Sequence, residues 1–493
     1  MMRSLFSGVA GLKTHQTKMD VIGNNIANVN TVGFKSSTVN FSDVLYQTTQ
    51  SASGANEVTG AAGTNAKQIG LGSGLASITS SMTTAGGSQT TDNPLDVMIS
   101  GDAFFVVKSG GTNYFTKDGS FKIDANGTLC TSSGATVQGW MVDDQTGEVV
   151  RAAVQDLTVM APKFLYSAPE ATTDAYLSGN IDKNDTSLTS TGINVQPTFY
   201  DKLGNAYTAQ LNIKQTDVTS QYTVNVTDIL DSNGNSIFVT ATTNTDGSVT
   251  YSTDGAQVAT VTLGGIEYTC EVSDDGSSYT IVGPEDGDDC VMLEFSGSNG
   301  KFVGTNVATP NETDLLSILG EKVTMAFLTD DTVANPFEDL SIDFSSLTMY
   351  STSGSSSIEP TRGAINGSGA GYPAGNMSGI SIDQSGKIYG TYDNGTSRLL
   401  GQIVTASFTN PSGLEAVGSN MFAQTQNSGE FDGIGQDPTA GGGKLTTGVL
   451  EMSNVDLSTE FTQMIVTQRG FQANSRIITT SDTMLEELIN LKR

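Results

Sequence analysis

Apolar residues recur every seven positions at both ends of this chain, and no comparable run lies between. Leu5, Leu12, Met19 and Ile26 form the first series, flanked by Val9, Ile22 and Val29. Leu457, Met464, Phe471, Ile478 and Leu485 form the second, supported by Phe461, Ile465, Leu488 and Ile489. Such spacing predicts a helix that packs along another helix. Asp456 is placed as an N-cap, with Glu460 in the first turn favoured by the helix dipole. From there to Arg493 the chain would make roughly 55 Å of helix at 1.5 Å per residue. Gly8, Gly11, Gly23 and Gly470 each cost on the order of 1 kcal/mol in a helix interior, and Gln16, Gln468, Ser475 and Asp482 break the stripes. The two helices are therefore expected to be marginal alone and firm when packed. Several large apolar side chains, at ~1.5–3 kcal/mol each, would drive that packing. A plain helix pair sealing a monomeric core is the competing reading of the same pattern.

Between the ends the texture changes twice. Residues 48–92 are dominated by Ser, Thr, Gly and Ala, which predicts an extended connector. From Asn93 onward short alternating strands are separated by the turn dipeptides Asp118-Gly119, Asn126-Gly127, Asp246-Gly247, Asp254-Gly255 and Asp275-Gly276. Ala209, Leu211 and Ile213 alternate with polar residues, as do Tyr222, Val224 and Val226. If the end helices pair, the β-region between them must be nested, each inner domain drawing on both halves of the chain.

Charge sharpens this division. The chain of 493 residues has a formal charge of −29. Residues 1–50 hold four bases and two acids, and residues 451–493 hold six acids and four bases, so the ends cancel and the whole excess lies in 51–450. The ends read as surfaces to be covered and the middle as a surface for water. An acidic surface of this strength argues against nucleic acid and anionic lipid as ligands. No stretch approaches the ~18–20 apolar residues of a membrane span, and Met1–Ala10 lacks the apolar core of a signal peptide, so if the protein leaves the cell it is expected to do so without a cleaved signal peptide. The length calls for about three or four domains.

Candidate chemistry is sparse. His15 is the single histidine, which nearly excludes a Ser-His-Asp arrangement or a multi-histidine metal site, and it reads as a packing or surface residue. Cys130, Cys270 and Cys290 are too few for a disulfide framework and too scattered for zinc, although a Cys270–Cys290 bridge stays open. The acidic run Glu285-Asp286-Gly287-Asp288-Asp289 and the turn at Asp231 lack a glutamate at position twelve and read as solvated turns rather than calcium loops. Trp140 reads as core rather than a sugar platform. No enzyme, cofactor or metal is expected.

Four blocks carry a resemblance. GVAGLKTHQTKMDVIGNNIANVNTVGFK (8–35), with Asn24, Asn25, Ile26, Ala27, Asn28, Gly33, Phe34 and Lys35 as its signature, resembles the N-terminal signature of the flagellar rod, hook and hook-associated axial proteins. The segment from Gly448 to Arg493 is similar to that family's C-terminal signature. Residues 93–140 and 386–422 resemble the outgoing and returning halves of its first β-domain, and 150–345 is only loosely similar, chiefly at 198–208.

The resemblance implies a multidomain, mainly β protein whose terminal helices pair as a coiled-coil-like domain, with nested β-domains of sandwich or barrel type between them. The expected parts are a helical polymerisation domain (1–32 and 455–493) and an extended connector (33–92 and 432–454). An inner β-domain (93–150 and 346–431) would carry an outer inserted one (151–345), with room for a second lobe. Length disfavours a distal rod member, and Thr31-Val32-Gly33-Phe34-Lys35 lacks the Pro-Gly-Tyr turn usual at the hook–filament junction. The implied role is a hook subunit that assembles with itself into a flexible curved tube, a universal joint carrying torque. The polymerisation residues would be those of the two sevenfold series, together with Phe461. Its implied partners are the distal rod protein, the hook cap protein, the hook–filament junction protein, the flagellar export gate and the hook-length control protein. Phe41 and Leu45 resemble the family's export-gate motif; a short amphipathic turn packed on the connector is the alternative. Some family members also link subunits from a cysteine to a lysine; Cys270 or Cys290 could in principle serve, although neither is matched to such a site. A surface adhesin, which would need a signal peptide and an anchor, is the rival from another class.

Overall fold

The computed structural model describes all residues except 1, 55–59, 61, 144–145, 246, 285–289, 308–319, 330–334, 353, 441–442 and 492–493. The acidic run at 285–289, and Asp246 of one turn dipeptide, lie outside the described residues.

The outgoing and returning halves of the chain meet at successive levels. The N-terminal helix, Met2–Ala27, packs along the C-terminal helix, Leu457–Asn490, about 39 and 51 Å long. Strand Ser88–Thr90 then pairs with Val449–Glu451, and Val97–Ser100 with Lys444–Thr447 in the register Ile99↔Leu445. Further in, Thr136–Met141 lies between Phe104–Ser109 and Ser397–Ile403, with Val137 opposite Val107 and Trp140 opposite Gln402. Phe104, Phe115, Trp140, Phe408 and Phe422 form this sheet's core, with Phe115 and Phe408 edge to face at 4.6 Å. Trp140 is buried and donates its indole N–H to the carbonyls of Ala152 and Ile434. It is core, with no face free for a ligand.

The chain folds into two compact units. One comprises 1–165, 378–391 and 397–493; the other comprises 166–377 and 392–396. Residues 151–165 thus go with the first unit and 346–377 with the second. The second unit is a sandwich. A sheet holding Ala206–Gln215, Gln221–Asp231 and Val291–Phe295 shares one core with a sheet holding Thr260–Leu263, Lys322–Leu328, Leu340–Asp343 and Asp174–Asn180. The alternation read from sequence fixes the register here. Ala209, Leu211 and Ile213 point inward with Tyr222, Val224 and Val226, and Leu211 opposes Val226.

Many of the turns use one device. Asp124, Asp201, Asp231 and Asp383 each accept two backbone N–H bonds, from the residues two and four positions on. A glycine three positions on takes positive φ, 79° to 85°. The aspartate replaces a backbone acceptor and the glycine permits the bulge. Asp118-Gly119 behaves differently: Gly119 lies against the Val97 carbonyl, where any side chain would collide, so it marks a close approach rather than a hairpin tip. The Ser/Thr-rich stretch is also more ordered than a bare connector. Strand Ser37–Asp43 pairs with Ser73–Ser80, and Tyr46–Gln50 with Lys67–Gly70.

Candidate assembly interface

The closest approaches between the two terminal helices are made by small and polar residues, and of the sevenfold apolar series Ile478 lies there, against Gly8. Ser4 and Ser481 hydroxyls lie 3.4 Å apart, and Thr14, Thr467 and Ser481 are buried. A Cβ on Gly8 would sit 3.2 Å from the Ile478 side chain, one on Gly11 2.7 Å from the Asn474 amide, and one on Gly470 2.7 Å from the His15 ring. These glycines let the helices approach closely, which offsets their propensity cost. Gly23 meets nothing within 4 Å and has no such role.

With small residues at the closest approach, most of the large ones are left half-buried or exposed. Of the sevenfold positions, Leu5, Leu12, Met19, Ile26, Met464, Ile478 and Leu485 are half-buried, and Leu457 and Phe471 are exposed. Phe6 (64%), Phe461 (50%), Ile465 (59%), Val466 (63%) and Ile489 (67%) are still more open to solvent than most of them. The pair thus carries uncovered apolar surface along its length, the kind that marks an association site. Ile465 and Ile489 were legible as supporting positions; Phe6 and Val466, off the sevenfold series, were not.

The signature residues build the joint between helices and β-structure. Lys35 is buried; its Nζ donates to Glu451 Oε1 at 2.7 Å and to the Thr84 carbonyl at 2.8 Å. Glu451 Oε1 also accepts the Gly86 N–H. Gly33, at φ +68°, donates its N–H to the Glu451 carbonyl, and a Cβ there would press on the Asp118 backbone. Asn25 accepts the Ser37 N–H and donates to both the Ser37 carbonyl and Glu460 Oε1. Asn454 accepts the Ser36 N–H and donates to the Ser81 and Thr84 carbonyls. Asn28 ties back to the Asn24 carbonyl and accepts from Thr31. Lys117, also buried, donates to the Gly101 carbonyl and lies over the Phe104 ring; burial pushes its pKa down to about 8 against the pull of Glu451. Glu451, Asn454 and Lys117 carry no sequence signal that marks them as partners. Glu460 was legible only as a dipole-favoured residue, and its contact with Asn25 is a further role. Asp456 caps its helix as expected, accepting from the Ser458 N–H at 2.9 Å.

Phe41 and Leu45 do not form an amphipathic turn. Phe41 lies in strand Ser37–Asp43, with its ring edge-on to His15 at 5.6 Å and Lys18 above it. Leu45 is exposed and its carbonyl accepts from Leu71.

Nothing in this geometry resembles a reaction centre. Among the described residues no cluster of metal-ligating side chains occurs, and no helix is long and apolar enough to cross a membrane. The Asp231 carboxylate is occupied by the backbone and side-chain donors of Asn233 and Asn235. No disulfide joins Cys130, Cys270 or Cys290, so the Cys270–Cys290 bridge left open by the sequence does not form.

Helices that approach through small residues, expose apolar ones and return through nested β-layers have the form of a structural protein built to associate. Three family models match in the order this architecture requires: "Flagella basal body rod protein" over residues 5–35, "Flagellar hook protein FlgE/F/G D1 domain" over 98–163, and "Flagellar basal body rod FlgEFG protein C-terminal" over 446–491. Relatives named flagellar hook protein FlgE are similar over the full length. That of Borreliella burgdorferi is 36% identical with all of both chains covered, as is that of Treponema pallidum. That of Escherichia coli is 31% identical with 98% of each chain covered. The protein is thus a structural component of the bacterial flagellum and not an enzyme. The chain belongs to the flagellar hook protein FlgE family.

Proposed function

We propose that this chain polymerises through its paired terminal helices into the curved, flexible hook tube that passes torque from rod to filament. The observation that carries this reading is the uncovered apolar face of the helix pair, in particular Phe461, Ile465, Val466 and Ile489. Copies of the same pair would cover it and form the inner wall. The sevenfold series contributes the half-buried part of that contact, and Phe461 its exposed centre. The β-units would form outer layers whose polar contacts exchange at low cost as the tube turns, because exposed ion pairs and hydrogen bonds are worth little in water. Its neighbours in the assembly would be the distal rod protein below, the hook cap during growth and the junction protein above. The chain would reach its place unfolded through the flagellar export apparatus, with Phe41 and Leu45 read by the export gate and the hook-length control protein setting when export stops.

Antibodies against residues 200–340 and immunogold electron microscopy of flagellated cells test the assignment. Gold on a short curved segment between envelope and filament is the expected result. A single band at the filament base would indicate a junction protein instead. Label appearing only after envelope removal would indicate a rod protein.

A further inference from the structure

The chain's single histidine sits where the two terminal helices and the first strand meet. His15 projects from the N-terminal helix, its Cε1–Nε2 edge flush on Gly470 of the C-terminal helix and its ring edge-on to Phe41. Its Nδ1 is buried and has no hydrogen-bond partner. A neutral imidazole tolerates this, because an unbonded ring nitrogen is a modest loss. An imidazolium loses more, since the half-buried ring must then carry a proton on the buried Nδ1, where no acceptor meets it.

The groups around the ring offer no relief. Lys18, one turn on along the same helix, adds like charge and lies over Phe41. Asp43, two residues beyond Phe41 on the strand, is engaged by Tyr46. Arg469, beside Gly470 on the opposite helix, donates to Gln472, and Asn474 donates to the Gly470 carbonyl.

We infer that His15 is an acid-sensitive latch: the helix pair closes on the neutral ring and opens when the ring takes a proton. Burial, then Lys18, lowers the ring's pKa from 6.5 in the closed pair. The open pair therefore binds more protons, so closure is favoured above pH 6.5 and is lost progressively as pH falls below it. If the helix pair is the assembly unit, as proposed above, the tube would loosen in the same window.

Because the chain has one histidine, its ring resonance in the full-length protein labelled at histidine is unambiguous. Titrating it from pH 8 to 5 while following helical ellipticity at 222 nm tests the latch without requiring a polymer. The expected result is an apparent pKa below 6.5 with ellipticity falling in step, and an ellipticity independent of pH over that range in His15→Gln. A ring that titrates at 6.5 or above with constant ellipticity would overturn the inference. So would the same acid loss in His15→Gln. Should the variant fail to form the pair at pH 8, the wild-type titration still decides. Sedimentation of the assembled protein over the same range separates the two readings: failure to pellet at pH 8 counts against assembly, not against the latch.

Discussion

The terminal helix pair and the sandwich of 166–377 solve the same problem in opposite ways. The sandwich buries its large apolar side chains, among them Leu211, Tyr222, Val261, Met325 and Phe344, and gives its surface to charge. That unit, with 392–396, holds 29 acidic residues against six basic ones, so −23 of the chain's −29 resides there. The helix pair buries glycine, serine and threonine, with Ile22 its one buried large apolar side chain among the described residues, and leaves most of its phenylalanine, isoleucine and leucine half-buried or exposed. A unit with its apolar surface inside is complete by itself, and its charge keeps copies apart. A unit with its apolar surface outside is complete only when covered. Under the proposed function, cohesion would fall to one region and spacing to the other.

The strongest way to break this contrast is to make the helix surface polar. Replacing Phe461, Ile465 and Val466 together with serine removes ~1.5–3 kcal/mol of burial per residue, so assembly should weaken more than ~1000-fold. Sedimentation reads the loss, and calorimetry should find the β-unit transitions unmoved. Next comes the joint. Glu451→Gln leaves Lys35 buried without its anion, and breaking a buried pair costs ~3–5 kcal/mol. Faster hydrogen exchange at the Gly33 and Ser36 amides would report it, with the sandwich unaffected.

A smaller and sharper test uses two glycines. Gly470→Ala would drive a methyl into the His15 ring and should weaken pairing by ~1–3 kcal/mol despite better helix propensity. Gly23→Ala meets no atom and should stabilise by ~0.5–1 kcal/mol. Thermal melts of the two variants should move in opposite directions.

The smallest effect lies in the sandwich and needs acid. Asp182 accepts the backbone N–H groups of Asn184, Thr352 and Gly354, which hold its pKa near about 2, below the usual 3.8. Its contribution is present above 3.8 and lost as pH falls toward 2. An acid melt of Asp182→Asn should be flatter than wild type in that window.

The helices and their cap were legible because period and capping are local signals: Asp456 and the sevenfold series say where helices lie. They do not say which face meets which partner. The seam is built from Gly8, Gly11 and Gly470, and in one sequence a glycine reads as a cost until the atom opposite is known. Hairpins such as Ala206–Gln215 with Gln221–Asp231 were legible from alternation. Asn126-Gly127 marked a turn by its dipeptide, whereas the aspartate that starts the same turn, Asp124, was not singled out. The joint was half legible. The resemblance pointed to Lys35, but its partner Glu451 is 416 residues away, a separation no local pattern spans. The stretch 48–92 read as loose because Ser, Thr, Gly and Ala dominate it, yet within it Ser73–Ser80 pairs with Ser37–Asp43 and Lys67–Gly70 with Tyr46–Gln50.

The central claim is that the outward apolar face of the terminal helices is what copies of this chain share. Electron cryo-microscopy of tubes isolated from cells tests it most directly. The account predicts that Phe461, Ile465, Val466 and Ile489 each lie against helices of neighbouring copies. Tubes held together by the β-units alone, with those side chains still open to solvent, would contradict it.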